Sequence, residues 1–214
     1  MVQYLMRLMS IRENIKKINT HLSGVRLIAV SKTRAKEELV QAIEVGQKDF
    51  GENYVQEALT KINELKKYHL IWHFIGPIQS NKTALIAENF DWVHSVDRLK
   101  IAKRLNDQRP KNLGKLKILI QVNIDNEITK SGVSLLELSD LIDNIKSFKN
   151  LSLEGLMCIP KSSNSVNAFI KMQELKNKYQ LKELSMGMSN DFDQAVKYGA
   201  TMVRLGSIIF GQRE

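Results

Sequence analysis

Lys117-Ile118-Leu119-Ile120-Gln121-Val122-Asn123-Ile124 (KILIQVNI) is the stretch on which the fold turns. Five of its eight residues are aliphatic, and no polar residue interrupts Ile118 to Ile120. A strand that wets one face alternates apolar with polar residues, whereas an uninterrupted run is covered on both faces. Such strands belong to parallel sheets, whose neighbours need crossover connections, usually helices.

Working outward, similar short runs occupy 25–30, 48–51, 71–75, 91–96, 152–159, 183–187 and 201–205. With 117–123 they make eight. Helical spacing fills the gaps, at about 36–46, 52–67, 80–89, 97–107, 134–147, 165–180 and 190–198. A further amphipathic pattern, Leu5, Leu8, Ile11, Ile15 and Ile18, precedes the first strand, and His21-Leu22-Ser23-Gly24 ends it. Eight strand–helix units predict an α/β chain closed into a single (β/α)8 TIM-type barrel with an N-terminal helix. A doubly wound open sheet is the alternative. Residues 1–214 read as one domain, because no linker, low-complexity tract or repeat breaks the pattern and there are only 3 prolines.

Composition excludes several classes. The single Cys158 rules out an internal disulfide and any multi-cysteine zinc site, and it points to a reducing compartment. It follows an apolar run, as a buried small hydrophobe does. Charges interleave the N-terminal apolar residues, so no signal peptide is expected, and no run approaches the ~20 residues of a membrane span. A cytoplasmic protein is the expectation. The net charge is +9. Lys61, Lys66, Lys67, Lys171, Lys176 and Lys178 are spread along amphipathic helices, which favours a solvated basic surface over a nucleic-acid footprint.

A barrel carries its chemistry where strands end and βα loops begin. Ser31-Lys32-Thr33 follows the first run. Phe50-Gly51-Glu52-Asn53-Tyr54 follows the second, and Met157-Cys158-Ile159-Pro160 the sixth. Ser185-Met186-Gly187-Met188-Ser189-Asn190-Asp191 and Arg204-Leu205-Gly206-Ser207 close the last two. Glycine admits a ligand close to the backbone, and the next helix start offers unpaired N–H groups to an anion. The bland reading makes Ser189, Asn190 and Asp191 helix caps and Gly206 a turn residue. Lys32 likewise either snorkels into water or stands at a barrel mouth. At a mouth, desolvation and Arg204 would lower its pKa and free an amine for an aldehyde. An amine facing a phosphate cradle matches pyridoxal 5′-phosphate (PLP), which is bound as a lysine Schiff base.

The histidines lack metal-ligand spacing. His73 and His94, inside or ending apolar runs, read as core or supporting groups, whereas His21 and His69 precede strands on the far side of the barrel. Lys130 and Lys82, on the rim, either guide the anionic cofactor or hold a second molecule, or are ordinary surface lysines.

In order along the chain, AVSKT, FGENYVQE, WHFIGPIQSNK, SVDRL, KSG, GLMCIP, LSMGMSNDF and VRLGSIIFG resemble the signatures of the YggS/PROSC-type pyridoxal phosphate homeostasis proteins, from Val25 to the end. The resemblance implies the barrel of the alanine racemase N-terminal domain, a fold-type III PLP module, with PLP as cofactor and no established reaction. It makes Lys32 the Schiff-base lysine and Arg204 the partner of the pyridine nitrogen. Gly206, Ser207, Ser185 and Ser189 become the phosphate contacts, and Asn53 and Met157 line the ring.

A guanidinium is always protonated, so it donates a hydrogen bond to the pyridine nitrogen without yielding the proton, which leaves that nitrogen uncharged and the ring a poorer electron sink. Racemization also needs acid and base groups on opposite faces of the α-carbon. Alanine racemases draw one from a second domain, for which this sequence, ending at Glu214, is expected to have no residues. The function expected is therefore a non-catalytic PLP carrier that maintains PLP homeostasis and hands the cofactor to apo PLP-dependent enzymes, as a monomer or weak dimer without membrane or nucleic-acid partners. The alternative is a slow amino-acid racemase or other PLP-dependent enzyme.

Overall fold

Arg26–Val30 (RLIAV), the strand β1, shows how the molecule is built. Its alternate side chains point to opposite faces. Leu27 and Ala29 join the large apolar cluster, whereas Ile28 joins a separate small one with Trp92, Leu119, Met157 and Met202. The same two-residue alternation recurs in the other strands. Val93, Ile118, Ile120, Leu156 and Val203 belong to the large cluster and flank members of the small one. The small cluster is thus the barrel interior, and the large one the layer between strands and helices.

A computed structural model describes residues 10–126 and 131–212. The chain runs α1 (Ile11–Asn19), β1 (Arg26–Val30), α2 (Lys36–Ile43), β2 (Asp49–Glu52), α3 (Val55–Glu64) and β3 (Ile71–Phe74). It continues with α4 (Thr83–Asn89), β4 (Trp92–Val96), α5 (Leu99–Gln108), β5 (Leu116–Gln121), α6 (Leu138–Lys146) and β6 (Leu151–Met157). Then come α7 (Ser165–Lys178), β7 (Glu183–Ser185), α8 (Phe192–Lys197), β8 (Met202–Leu205) and α9 (Ser207–Phe210). Each strand pairs with the next in parallel and β8 returns to β1, with Ile28 opposite Arg204. The barrel is closed, which disposes of the open-sheet alternative.

Helix α1 starts at Ser10, which forms a reciprocal capping box with Glu13, and it buries Ile15 and Ile18. Leu5 and Leu8 of the expected N-terminal pattern lie outside the described residues. Most helices are shorter than the periodicity implied. The pattern over 52–67 yields helix only from Val55 to Glu64, and a 3-10 turn at Ser80–Lys82 precedes α4. The residues released at the helix starts, such as 53–54 and 80–82, belong to the βα loops, which collect at one end of the barrel.

Candidate functional site

At that end lies a cavity of about 450 Å3, within the range of small-molecule sites. Lys32 after β1, Asn53 after β2, Ser189 after β7, and Arg204, Gly206 and Ser207 at the end of β8 all line it. Strands remote in sequence thus bring together six of the eight residues singled out above. Ile75, Ile159 and Pro160 supply apolar wall.

Lys32 sits on a loop fastened from below. Lys61, on α3, donates to the Ser31 carbonyl at 2.6 Å, to Glu52 Oε1 at 2.8 Å and to Glu57 Oε1 at 2.6 Å. Ser31 Oγ also donates to Glu52 Oε1 at 2.7 Å, and the Thr33 N–H donates to Glu57 Oε1 at 2.5 Å. Both neighbours of Lys32 are therefore tied to one buried ion-pair cluster. Thr33 has φ 63°, a left-handed conformation that costs roughly 1–2 kcal/mol for a residue with a Cβ. The cluster pins that geometry. Burial pushes the Glu52 carboxyl up, against the ion pair and hydrogen bond with Lys61. The view of Lys61 as one of the scattered surface lysines is corrected here. It is 6% exposed, since Glu52 and Glu57 compensate its charge.

Arg204 is buried in the cavity floor, donating from Nη1 to Ser185 Oγ at 2.7 Å and from Nη2 to the Cys158 carbonyl at 3.0 Å. Burial lowers its pKa, but a guanidinium still keeps its charge at neutral pH. Ser207 Oγ donates to Ser189 Oγ at 3.2 Å, so the loops after β7 and β8 meet hydroxyl to hydroxyl. Gly187 lets the first of these loops turn. Its φ is +92°, and a Cβ there would lie 2.6 Å from Ala195 Cβ. Asp191 stabilises the same turn by accepting from the Met188 N–H at 2.7 Å, and it makes no side-chain cap to α8.

Two of the eight residues fall elsewhere. Met157 is fully buried in the barrel interior and is not among the residues lining the cavity. Ser185 is fully buried as well, beneath Arg204 rather than on the wall. Both lie at strand ends, where one step of register separates wall from interior. Lys82 is in the turn before α4 and away from this cavity, while Lys130 lies outside the described residues.

Sequence reading missed Arg34, which lines the cavity and donates to the Gly211 carbonyl at 2.5 Å and to Glu38 Oε1 at 3.3 Å. It also missed the Glu52–Lys61–Glu57 cluster. The i,i+4 spacing of Glu57 and Lys61 was the available signal.

The residues present suit an anionic aromatic aldehyde. A lysine, a guanidinium and two hydroxyls converge, and Asn53 Oδ1 is buried with no hydrogen-bond partner among the described residues. An orphaned amide end of this kind is satisfied by a polar ligand substituent.

A parallel barrel with such a mouth is the architecture of the alanine racemase N-terminal domain, whose family model matches residues 6–214. The chain belongs to the pyridoxal phosphate homeostasis protein family. A protein so named from Vibrio cholerae is 45% identical over 96% of this chain and 97% of its own. One from Escherichia coli strain K12 is 48% identical over 89% and 86%. Among solved structures, PipY of Synechococcus elongatus PCC7942, with PLP bound, is 34% identical and superposes with a TM-score of 0.87 over 94% of this chain and 100% of PipY. Among the described residues no helix is long and apolar enough to cross a membrane, and no cluster of metal-ligating side chains occurs.

Proposed function

We propose that this chain is a PLP carrier, a cytoplasmic protein that holds the cofactor covalently on Lys32 and releases it to apo-enzymes without catalysing a reaction of its own. The observation that carries the reading is that Lys32, Arg204, Ser189 and Ser207 line one cavity. The PLP-bound neighbour and the relatives' names support it. When bound, PLP supplies an aldehyde that condenses with an amine.

In this reading Lys32 provides that amine, held in place by the Ser31 and Thr33 anchors. Ser189, Ser207 and the Gly206 backbone receive the phosphate. Arg204 donates to the ring nitrogen and, being permanently protonated, leaves that nitrogen uncharged. This is why the site binds without activating: the ring remains a weak electron sink. Asn53 meets a polar substituent of the ring. Lys82 and Lys130 remain candidates for guiding the anion. Met157 and Ser185 act indirectly, by packing and by supporting Arg204.

The test is an absorbance spectrum of the protein with PLP, where a Schiff base absorbs near roughly 420 nm. Borohydride reduction and peptide mapping should find the adduct at Lys32, and Lys32→Ala should abolish the band. A band that survives in Lys32→Ala overturns the assignment. Incubation with L-alanine or L-serine in deuterated water tests the carrier role, which α-deuteration at a useful turnover would defeat.

A further inference from the structure

Below Arg204 a file of polar side chains crosses the barrel interior. Ser185 Oγ lies 2.9 Å from His94 Nδ1, and His94 Nε2 lies 2.9 Å from His73 Nδ1. His73 Nε2 in turn lies 2.9 Å from Asp49 Oδ1. Five residues from β8, β7, β4, β3 and β2 are thus joined, from the cavity floor to the opposite end of the barrel. All but Asp49 are buried.

Donor and acceptor counts dictate the direction of the file. The Asp49 carboxylate only accepts, so His73 must present an N–H at Nε2. A neutral imidazole carries one N–H, so His73 Nδ1 is an acceptor and His94 Nε2 must donate to it. His94 Nδ1 then accepts, and the Ser185 hydroxyl supplies the proton. Ser185 Oγ is left with its lone pairs for the Arg204 guanidinium, which donates to it. Every bond is satisfied with both histidines neutral, and burial depresses the pKa of each. An imidazolium at His73 reverses both imidazole bonds and turns the Ser185 proton out of the file. It also puts a third cation among Arg26, which lies 3.7 Å from Asp49, and Arg204.

We propose that Ser185, His94, His73 and Asp49 form a one-way hydrogen-bond relay whose task is to hold the Arg204 guanidinium in one orientation toward the cofactor site, with both histidines as Nε2–H tautomers. His94 and His73 are positioning residues, since neither lines the cavity. Aligned in a low-dielectric interior, such bonds polarise one another. The proposal rests on the carrier reading only in making Arg204 a partner of the cofactor ring; the relay itself belongs to the protein without cofactor.

Long-range 1H–15N correlation of the histidine side chains of the full chain, without PLP, decides the relay. The expected result is a protonated Nε2 and a bare Nδ1 at both His94 and His73. Asp49→Leu should also scramble the tautomer at His94, two bonds further along. An Nδ1–H form at either residue in the unsubstituted protein overturns the proposal, as does an unchanged His94 in Asp49→Leu. The cofactor arm uses His94→Gln, whose carbonyl can accept from Ser185 while its amide donates to His73, beside His94→Leu, which can do neither. PLP affinity should fall about tenfold in His94→Leu, the scale of one lost bond to a charged group. It should stay near that of the parent protein in His94→Gln. Equal affinity in a folded His94→Leu overturns the positioning role. Should His94→Leu not fold, Ser185→Ala against Ser185→Thr makes the same comparison, and equal affinity there is equally fatal. Predicted tautomers with no PLP binding by the parent protein would instead sink the carrier reading and leave the relay standing.

Discussion

Lys61 Nζ stands 2.6 Å from the Ser31 carbonyl, one residue before Lys32, so a buried lysine on a helix anchors the loop that carries the lysine of the cavity wall. The two amines have opposite circumstances. Lys61 is enclosed by Glu52 and Glu57, whereas Lys32 is half-buried on a cavity wall.

Lys61→Met should destabilise the protein by about 3–5 kcal/mol, because it leaves Glu52 charged and uncompensated in the interior. Urea unfolding monitored by circular dichroism measures this. Adding Glu52→Gln should recover part of the loss by removing that stranded charge, and PLP binding should weaken in Lys61→Met even where the fold survives.

Arg204→Gln should reduce PLP affinity by roughly 10–100-fold, the cost of losing a charged donor in a buried site. Titration followed by absorbance measures it. The pyridine nitrogen would then face a neutral group, so the pH dependence of the bound spectrum should change as well.

Gly76→Ala should disturb Asn53, and through it the cavity wall, from a position that does not itself line the cavity. A Cβ at Gly76 would lie 2.2 Å from the Asn53 carbonyl oxygen, a backbone atom that cannot swing aside. A stability loss of about 1–3 kcal/mol is expected from such overpacking, together with weaker PLP binding.

Stability should fall with acid below neutrality. Burial lowers the pKa of both His73 and His94, with Asp49 opposing at His73 and Arg204 reinforcing at His94. The unfolded chain takes up protons near the ordinary value of 6.5 while the folded one does not. The contribution is therefore present above about pH 6.5 and is lost as pH falls toward the folded values, at up to about 1.4 kcal/mol per pH unit for each imidazole. Unfolding titrations at pH 7.5 and 5.5 would reveal the slope, and His94→Gln should make it shallower.

Cys158 should resist alkylation in the native protein. It is fully buried, and burial pushes its thiol up to about 12, so the reactive thiolate is scarce at neutral pH. Iodoacetamide should label it slowly until denaturant is added, and rapid native labelling would contradict this burial.

Much of the site was readable because barrels put chemistry at strand ends. AVSKT and VRLGS could be placed on one rim from periodicity alone, and the structure brings Lys32, Arg204 and Ser207 to one cavity. Met157 and Ser185 could not be sorted in the same way. A residue at a strand end faces the wall or the interior according to a single step of register, which depends on neighbouring strands. Lys61 misled for a related reason: its spacing on α3 is that of any amphipathic helix, while its burial is set by Glu52 on a different element.

The sequence by itself determined the succession of eight strands and their helices, because the two-residue and 3.6-residue periods are local properties of the chain. It also determined which side chains stand at the strand ends. Tertiary structure alone decided that the sheet closes, that Arg204 rests on Ser185, and that His73 and His94 align into a file ending at Asp49. Those relations join residues far apart in the chain, Ile28 with Arg204 at the closure and His94 with Ser185 in the file. Their geometry follows from inter-strand register and burial, which no local pattern encodes.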